Sequence, residues 1–442
     1  MTIWCDAKTA VQVVESGNRV FLGGMVVTPT PLIEALVARG EELRNVEIIT
    51  ALAIGPAPYT DPRWAGHFHV RTCFVSAFDR AAVNAGRVSY IPVFLSSIPK
   101  LFMPGGPYPL DVAFIQVSPP DKHGYCSLGP SVDFTRAAVD NARQVVALVN
   151  PSVPRTYGHS FVHVSRLDYA VKWEGPLYEV GREPLDETQR VIGRNIGELI
   201  EDGATLQMGI GAIPDAALQT LNDRRDLGVH TEMFSDGVLD LVEQGVITGA
   251  RKVRDRGKLV TCFVMGSRRL MDFLDNNPMV AMHPVSYTND PQIIRQFDHF
   301  VSVNSALQVD LTGQVCAESV GTFQYSGVGG QMDFMRGAAL APHGRAILAL
   351  PATARAPKTG AETHPYAIAP IDGQISRIVP ILMPGAAVTT TRAHVQYVVT
   401  EYGRAMLRGR SLAERARSLI AIAAPQFREQ LERAAHGLHL FS

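Results

Sequence analysis

The sequence predicts an α/β protein whose sheets are mostly parallel. Two observations carry that expectation. Short apolar runs rich in β-branched residues recur at 46–49, 112–117, 145–149, 259–264, 347–350 and 397–399. Runs of roughly four to eight such residues, closed by Gly, Pro or Asp, read as strands covered on both faces, the habit of parallel sheets. Helical patterns lie between them. Pro31 suits a first helical position, Leu32, Ile33, Leu36 and Val37 follow on one face, and Gly40 can end the helix. Asp186 with Gln189 three residues on reads as a capping box, and Ile192, Ile196 and Ile200 then repeat every fourth residue.

At roughly 150 residues per domain, 442 residues suggest two to four domains. The Pro-rich stretch 151–184 is a natural boundary, so the division is expected near residue 185, giving domains 1–185 and 186–442. Two internal echoes suggest related halves. Gly23-Gly24 ahead of Thr30-Pro31 resembles Gly209-Ile210-Gly211 ahead of Ile213-Pro214, and DVAFIQVS at 111–118 resembles DHFVSVNS at 298–305. Shared α/β habits would explain such short echoes equally well. The segment 358–372 mixes Pro, Gly, Thr and His without periodicity and reads as a loop.

Composition excludes several classes. With 46% hydrophobic and 19% charged residues the chain can bury large cores, so it is not disordered. Lys+Arg 41 against Asp+Glu 42 leaves no basic excess for a nucleic acid or an anionic membrane. Cys5, Cys73, Cys126, Cys262 and Cys316 lie far apart and odd in number, which fits reduced thiols rather than a disulfide framework or a zinc site. The histidines at 283, 299, 343, 364 and 394 have no metal-ligand spacing, so no metal is expected. Nothing near Met1 reads as a signal peptide and no run reaches the ~20 apolar residues of a membrane span. A cytoplasmic location is expected.

Three segments carry candidate chemistry. In QMGIGAIP at 207–214, glycines after a short strand open a helix, where free N–H groups suit a phosphate, carboxylate or oxyanion. Pro214 replaces the third glycine of a dinucleotide fingerprint, so that motif is not met, and a tight turn without ligand is the other reading. In HTEMFSDG at 230–237, Glu232 is flanked by Met233 and Phe234. A carboxylate in a dry pocket is poorly solvated and more nucleophilic; a structural salt bridge is the alternative. Asp236 reads as a turn residue or helix cap. In YSGVGGQMDF at 325–334, three glycines in four residues make a nest of N–H groups for developing negative charge, or simply a strand-to-helix turn. Asn304 and Gln308 are amides in an apolar run, to be partnered either in the core or by ligand. His123, in a Pro-Pro-Asp turn, reads as structural, and no GxSxG elbow exists.

Together these segments resemble the acetyl-CoA hydrolase/transferase family, and within it the 4-hydroxybutyrate and butyrate-type CoA-transferases. The likeness runs through 207–215, HTEMFSDGVLDLVEQGVITG at 230–249, NSALQVDLTGQVCAE at 304–318, 325–337, SRIVP at 376–380 and VTEYG at 399–403. In the first half it includes QVSPPDKHGYCSLGPSVD at 116–133. The resemblance implies two related α/β domains (CoA-transferase, NagB/RpiA-like) with the active site in the cleft between them. It implies Glu232 as nucleophile, with Gly329 and Asn304 also catalytic. Gln207, Gly209, Ile210, Gly211, Ala212 and Ile213 would bind coenzyme A, as would Gly327, Val328, Gly330 and Lys358, with Glu401 a polar group near the reacting centre.

The implied reaction moves coenzyme A between short acids such as acetate, butyrate, 4-hydroxybutyrate, succinate or itaconate, ping-pong, through a glutamyl-CoA thioester. Coenzyme A is then a co-substrate with no permanently bound cofactor, and the protein a homodimer or larger. An acyl-CoA hydrolase and a non-catalytic CoA-binding protein are the competing readings.

Overall fold

The apolar runs assemble into two large sheets. The structure, a computed structural model, describes the chain apart from Glu183, Ile210, residues 357–365 and Ser442. Eight strands form the first sheet, in the order Ile3–Trp4, Tyr169–Lys172, Gln144–Val149, Val112–Val117, Arg19–Leu22, Val46–Thr50, Phe68–Thr72 and Val88–Tyr90. Every pair in it is parallel. All six residues of Val112–Val117 are buried, as a strand with both faces covered requires.

Nine strands form the second sheet. Its order is Gly403–Met406, Tyr397–Thr400, Arg345–Ala349, Phe300–Ser305, Thr205–Met208, Gly228–His230, Leu259–Thr261, Val280–Met282 and Tyr157–Gly158. Only the 397–406 hairpin is antiparallel. The last strand comes from the earlier part of the chain and pairs in parallel with Val280–Met282. The two parts are further stitched where the N–H groups of Val132 and Asp133 donate to Cys262 O. One buried cluster accordingly holds Val132 and Phe134 together with Phe234, Cys262 and Phe263.

The helix Glu187–Gly197 carries both arms of the expected capping box. The helix Thr30–Ala38 begins with Pro31 in its first turn, and its apolar residues Leu32, Ile33, Leu36 and Val37 are buried. Asp236 opens the helix Asp236–Glu243, and its carboxylate accepts from Ser267 N–H. The two glycine turns also behave alike. Gly23 N–H donates to Phe114 O at 2.8 Å and Gly209 N–H to Val303 O at 2.9 Å, each reaching the neighbouring parallel strand.

The expected strand at 259–264 is broken, and the break matters. Leu259–Thr261 lies in the large sheet, whereas Phe263–Val264 pairs with Met233–Phe234 in a separate two-stranded ladder. Val229 faces Leu259 and Met233 faces Phe263, so the register is the same on both sides of the break. The strand pair therefore kinks out of the sheet in step, at Glu232 on one strand and Cys262 on the other.

Candidate active site

The kink fixes the backbone of Glu232. Its carbonyl accepts from Cys262 N–H at 3.1 Å, Phe263 N–H at 3.2 Å and Thr261 Oγ1 at 2.9 Å. Its side-chain Oε2 accepts from Asn289 Nδ2 at 2.8 Å, and its neighbours Met233 and Phe234 are buried. Gly330 stands directly against that pair. A Cβ there would overlap Glu232 Oε2 and Asn289 Nδ2, while the Gly330 backbone (φ −97°, ψ 3°) is open to any residue. Glycine is needed for space, not for conformation.

A cavity of about 430 Å³ opens in front of the carboxylate. Phe74 from the first half contributes to its wall, and the rest comes from 207–209, 232–233, 304–307, Ala317 and 325–331. The glycine turn forming one wall is held by the first half. Leu95 N–H donates to Gly329 O at 3.0 Å, and Gly329 forms a parallel bridge with Phe94. Ser96 Oγ donates to Asp333 Oδ1 at 2.8 Å. Tyr90 Oη donates to Glu318 Oε2 at 2.9 Å and accepts from Val328 N–H at 2.9 Å. Tyr90→Phe would strand both partners, of which Glu318 is buried. It is expected to cost about 1–3 kcal/mol of stability, read as a lower denaturation midpoint; an unmoved midpoint would mean that the hydroxyl does not hold the turn.

Gln207, Gly209, Asn304, Gly327, Val328, Gly329 and Gly330 all line the cavity with Glu232. Gly211 (φ +111°) and Ala212 instead line an adjoining hollow of about 200 Å³ with Arg182, Asp215 and Ser235. Ile213 turns its side chain into the core, 8% exposed. Ile210 and Lys358 lie outside the described residues. The carboxylate of Glu401 accepts from Ala352 N–H at 2.8 Å, away from the cavity lining. His123 sits in an Asx turn, its N–H donating to Asp121 Oδ1.

The amides divide. Asn304 and Gln207 bond reciprocally, Asn304 Nδ2 to Gln207 Oε1 at 3.1 Å and Gln207 Nε2 to Asn304 Oδ1 at 3.3 Å, with Ser302 completing the network. They form a polar cavity floor fixed before any ligand arrives. Gln308 Oε1 is buried without a partner among the described residues. The Gly329 carbonyl is taken up by Leu95 N–H, and Gly330 is the glycine beside the carboxylate. Sequence reading missed Asn289, Asp333, Phe74 and Tyr90. Asn289 precedes Asp290-Pro291 and looks like turn material, with nothing local to reveal that it reaches Glu232.

The sequence matches the acetyl-CoA hydrolase/transferase N-terminal domain over residues 4–175 and the C-terminal domain over residues 266–435. The chain belongs to the acetyl-CoA hydrolase/transferase family. Among relatives of this family, a 4-hydroxybutyrate coenzyme A transferase of Clostridium kluyveri is 48% identical over 96% of this chain and 95% of its own. A succinyl-CoA:acetate/propanoyl-CoA:succinate CoA transferase of Fasciola hepatica is 46% identical over 95% of this chain and 85% of its own. The crystal structure of a 4-hydroxybutyrate CoA-transferase from Porphyromonas gingivalis superposes with a TM-score of 0.82 at 38% identity, covering 99% of this chain and 98% of that one. Among the described residues no helix is long and apolar enough to cross a membrane.

Within this acetyl-CoA hydrolase/transferase member the electrostatics of Glu232 are unusual. Burial pushes its carboxyl up to about 7; the Asn289 hydrogen bond pulls it back, and the nearby acids Asp333 and Asp133 raise it further. Asp333 is itself pushed up to about 6 by burial, against its bonds to Ser96. Asp133, fully enclosed, is raised for the same reason, although Ser131 and Thr135 bond to it. No cation among the described residues pairs with Glu232. A carboxylate so poorly compensated is a strong nucleophile once ionised.

Proposed function

We propose that this protein moves coenzyme A between short-chain carboxylic acids through a covalent intermediate on Glu232. It is a CoA-transferase; the chemical route and the acids are our reading. One observation carries the route: a desolvated carboxylate, held by Asn289 and facing a glycine turn, at the wall of a cavity large enough for a thioester.

In this reading Glu232 attacks the thioester carbonyl of an acyl-CoA. The oxyanion is received by backbone N–H at the glycine turn, and the position of Gly330 beside the carboxylate favours it over Gly329 as the donor. Collapse expels the CoA thiolate and leaves an acyl-glutamyl anhydride. The thiolate then attacks the glutamyl carbonyl, releasing the first acid and leaving Glu232 as its CoA thioester. A second carboxylate runs the sequence in reverse. A carboxylate nucleophile suits the exchange because its anhydride stays activated toward thiolate, as a serine ester would not. Met233, Phe234 and Phe334 are apolar groups suited to keeping water from the thioester. The reading also carries two related domains divided near residue 185, and a homodimer or larger assembly in the cytoplasm.

The test is incubation with acetyl-CoA or succinyl-CoA and a panel of acetate, butyrate, 4-hydroxybutyrate, succinate and itaconate. Exchange that depends on the acceptor acid, with ping-pong kinetics, is expected. Thioester loss at the same rate without an acceptor would identify a hydrolase instead. Mass spectrometry should find a coenzyme A adduct on the peptide holding Glu232.

A pH profile tests the attacking group. Only the ionised carboxylate attacks, so kcat/KM for the acyl-CoA should rise about tenfold per pH unit until about 7 and then level off. Asn289→Ala removes a bond to the charged form, so its profile should break at higher pH. A profile flat between about pH 5 and 8 would argue that a different group limits the reaction.

A further inference from the structure

A second cluster of chemistry-bearing side chains lies at the other end of the second sheet. The turns at 297–299 and 342–344 lead into the adjacent parallel strands Phe300–Ser305 and Arg345–Ala349, and His299 N–H donates to Pro342 O at 3.0 Å. Each turn holds a histidine in the left-handed region, His299 at φ 52° and His343 at φ 51°. That conformation is disfavoured for any residue with a Cβ. Two such residues, 44 positions apart, stack their rings with centroids 4.8 Å apart and planes 20° apart.

Asp298 joins them. Its Oδ1 lies 2.9 Å from His343 Nδ1 and 3.8 Å from His299 Nε2, and one donor atom from each residue falls within 4.8 Å of the others. Ligands about 2.0–2.1 Å from a tetrahedral ion sit roughly 3.3–3.5 Å from one another. The two oxygen–nitrogen distances bracket that spacing, the shorter being a hydrogen bond here, and the exposed Asp298 and His343 side chains would shift to close the 4.8 Å spread around an ion. The remaining nitrogen of His299, Nδ1, faces Glu201 Oε2 at 3.3 Å. The other oxygen of Glu201 is held by Arg345, which also bonds Leu199 O. A carboxylate on the far nitrogen of an imidazole fixes its tautomer and aims the free nitrogen at a metal.

We propose that Asp298, His299 and His343 bind one divalent transition-metal ion, with Glu201 orienting His299. Two imidazoles and one carboxylate suit Zn²⁺ or Cu²⁺ rather than Mg²⁺ or Ca²⁺. The Asp298 and His343 side chains are 53% and 69% exposed, so water completes the shell and the ion exchanges with solvent. His299 precedes Asn304 by five residues of extended chain, about 17 Å at 3.3 Å per residue. The ion therefore clamps the entry ends of two strands and takes no part in the chemistry at Glu232. The proposal stands independently of the CoA-transfer reading.

The test is calorimetric titration of the chelator-treated full chain with ZnCl₂. Saturable uptake of one ion is expected, with a raised melting temperature. His343→Ala and His299→Ala should each weaken binding at least about tenfold, and Glu201→Gln about 10–100-fold, with circular dichroism establishing that each variant is folded. CoA-transfer activity of His343→Ala should match the parent. No saturable uptake at about 1 mM ZnCl₂, or equal affinity in the His299→Ala/His343→Ala double variant, would overturn the proposal.

Discussion

Glu232→Gln should lower the rate of CoA exchange by about 10⁴-fold or more while leaving the protein folded and able to bind acyl-CoA. Loss of a covalent nucleophile is of that order in enzymes whose residual catalysis comes from binding and oxyanion contacts alone. Gln keeps the shape and a hydrogen-bonding oxygen for Asn289 but cannot form the anhydride. The CoA adduct should vanish with the activity, and retained turnover would remove Glu232 from the mechanism. Stability provides a second reading with opposite sense. Folding raises the Glu232 pKa from an ordinary 4.5 to about 7, so its ionisation penalises the folded state. Its favourable share is intact below about pH 4.5 and is lost as pH rises through about 7. The Gln variant lacks that dependence. Its stability should fall less than that of the parent between about pH 5 and 8, as denaturant titrations at the two pH values would measure.

Gly330→Ala should cut kcat by about 10²-fold or more with the fold retained. The backbone there tolerates alanine, so the effect arises from the methyl group alone, which would occupy the place of Glu232 Oε2 and Asn289 Nδ2. The carboxylate must swing away and lose its Asn289 bond, and displacement of a reacting group by about an ångström is enough for a loss of that size. Kinetics and a melting curve on the same sample separate the two effects. Near-parental turnover would mean that the reactive carboxylate does not rest against the glycine turn.

Much of the architecture was legible because its signals are local. The strands at 112–117 and 397–400 follow from short, largely apolar runs that carry β-branched residues, the Asp186 capping box from residues three apart, and the Thr30–Ala38 helix from Pro31 and its apolar face. Glu232 stood out because Met233 and Phe234 follow it directly, apolar company that is unusual for a solvated acid. The run at 259–264 misled, since continuity of β-forming residues says nothing of where a ladder kinks. The alternatives left open for Asn304 and Gln308 were undecidable from one strand. Asn304 is answered by Gln207, 97 residues away, whereas Gln308 Oε1 meets no partner among the described residues.

Composition, hydrophobic period, caps and glycine turns thus determined by themselves an α/β chain with parallel sheets, and they pointed to the one acid on which the proposed chemistry turns. Only the folded chain decided what surrounds that acid. Asn289 reaches it across 57 residues, and Ser96 reaches Asp333 across 237. The same holds for His299 and His343, scattered in sequence and stacked in space. The physical reason is one of range. Backbone propensity and periodicity act over a few neighbouring residues, whereas desolvation, charge and ligand geometry are set by whichever side chains packing brings within a few ångströms.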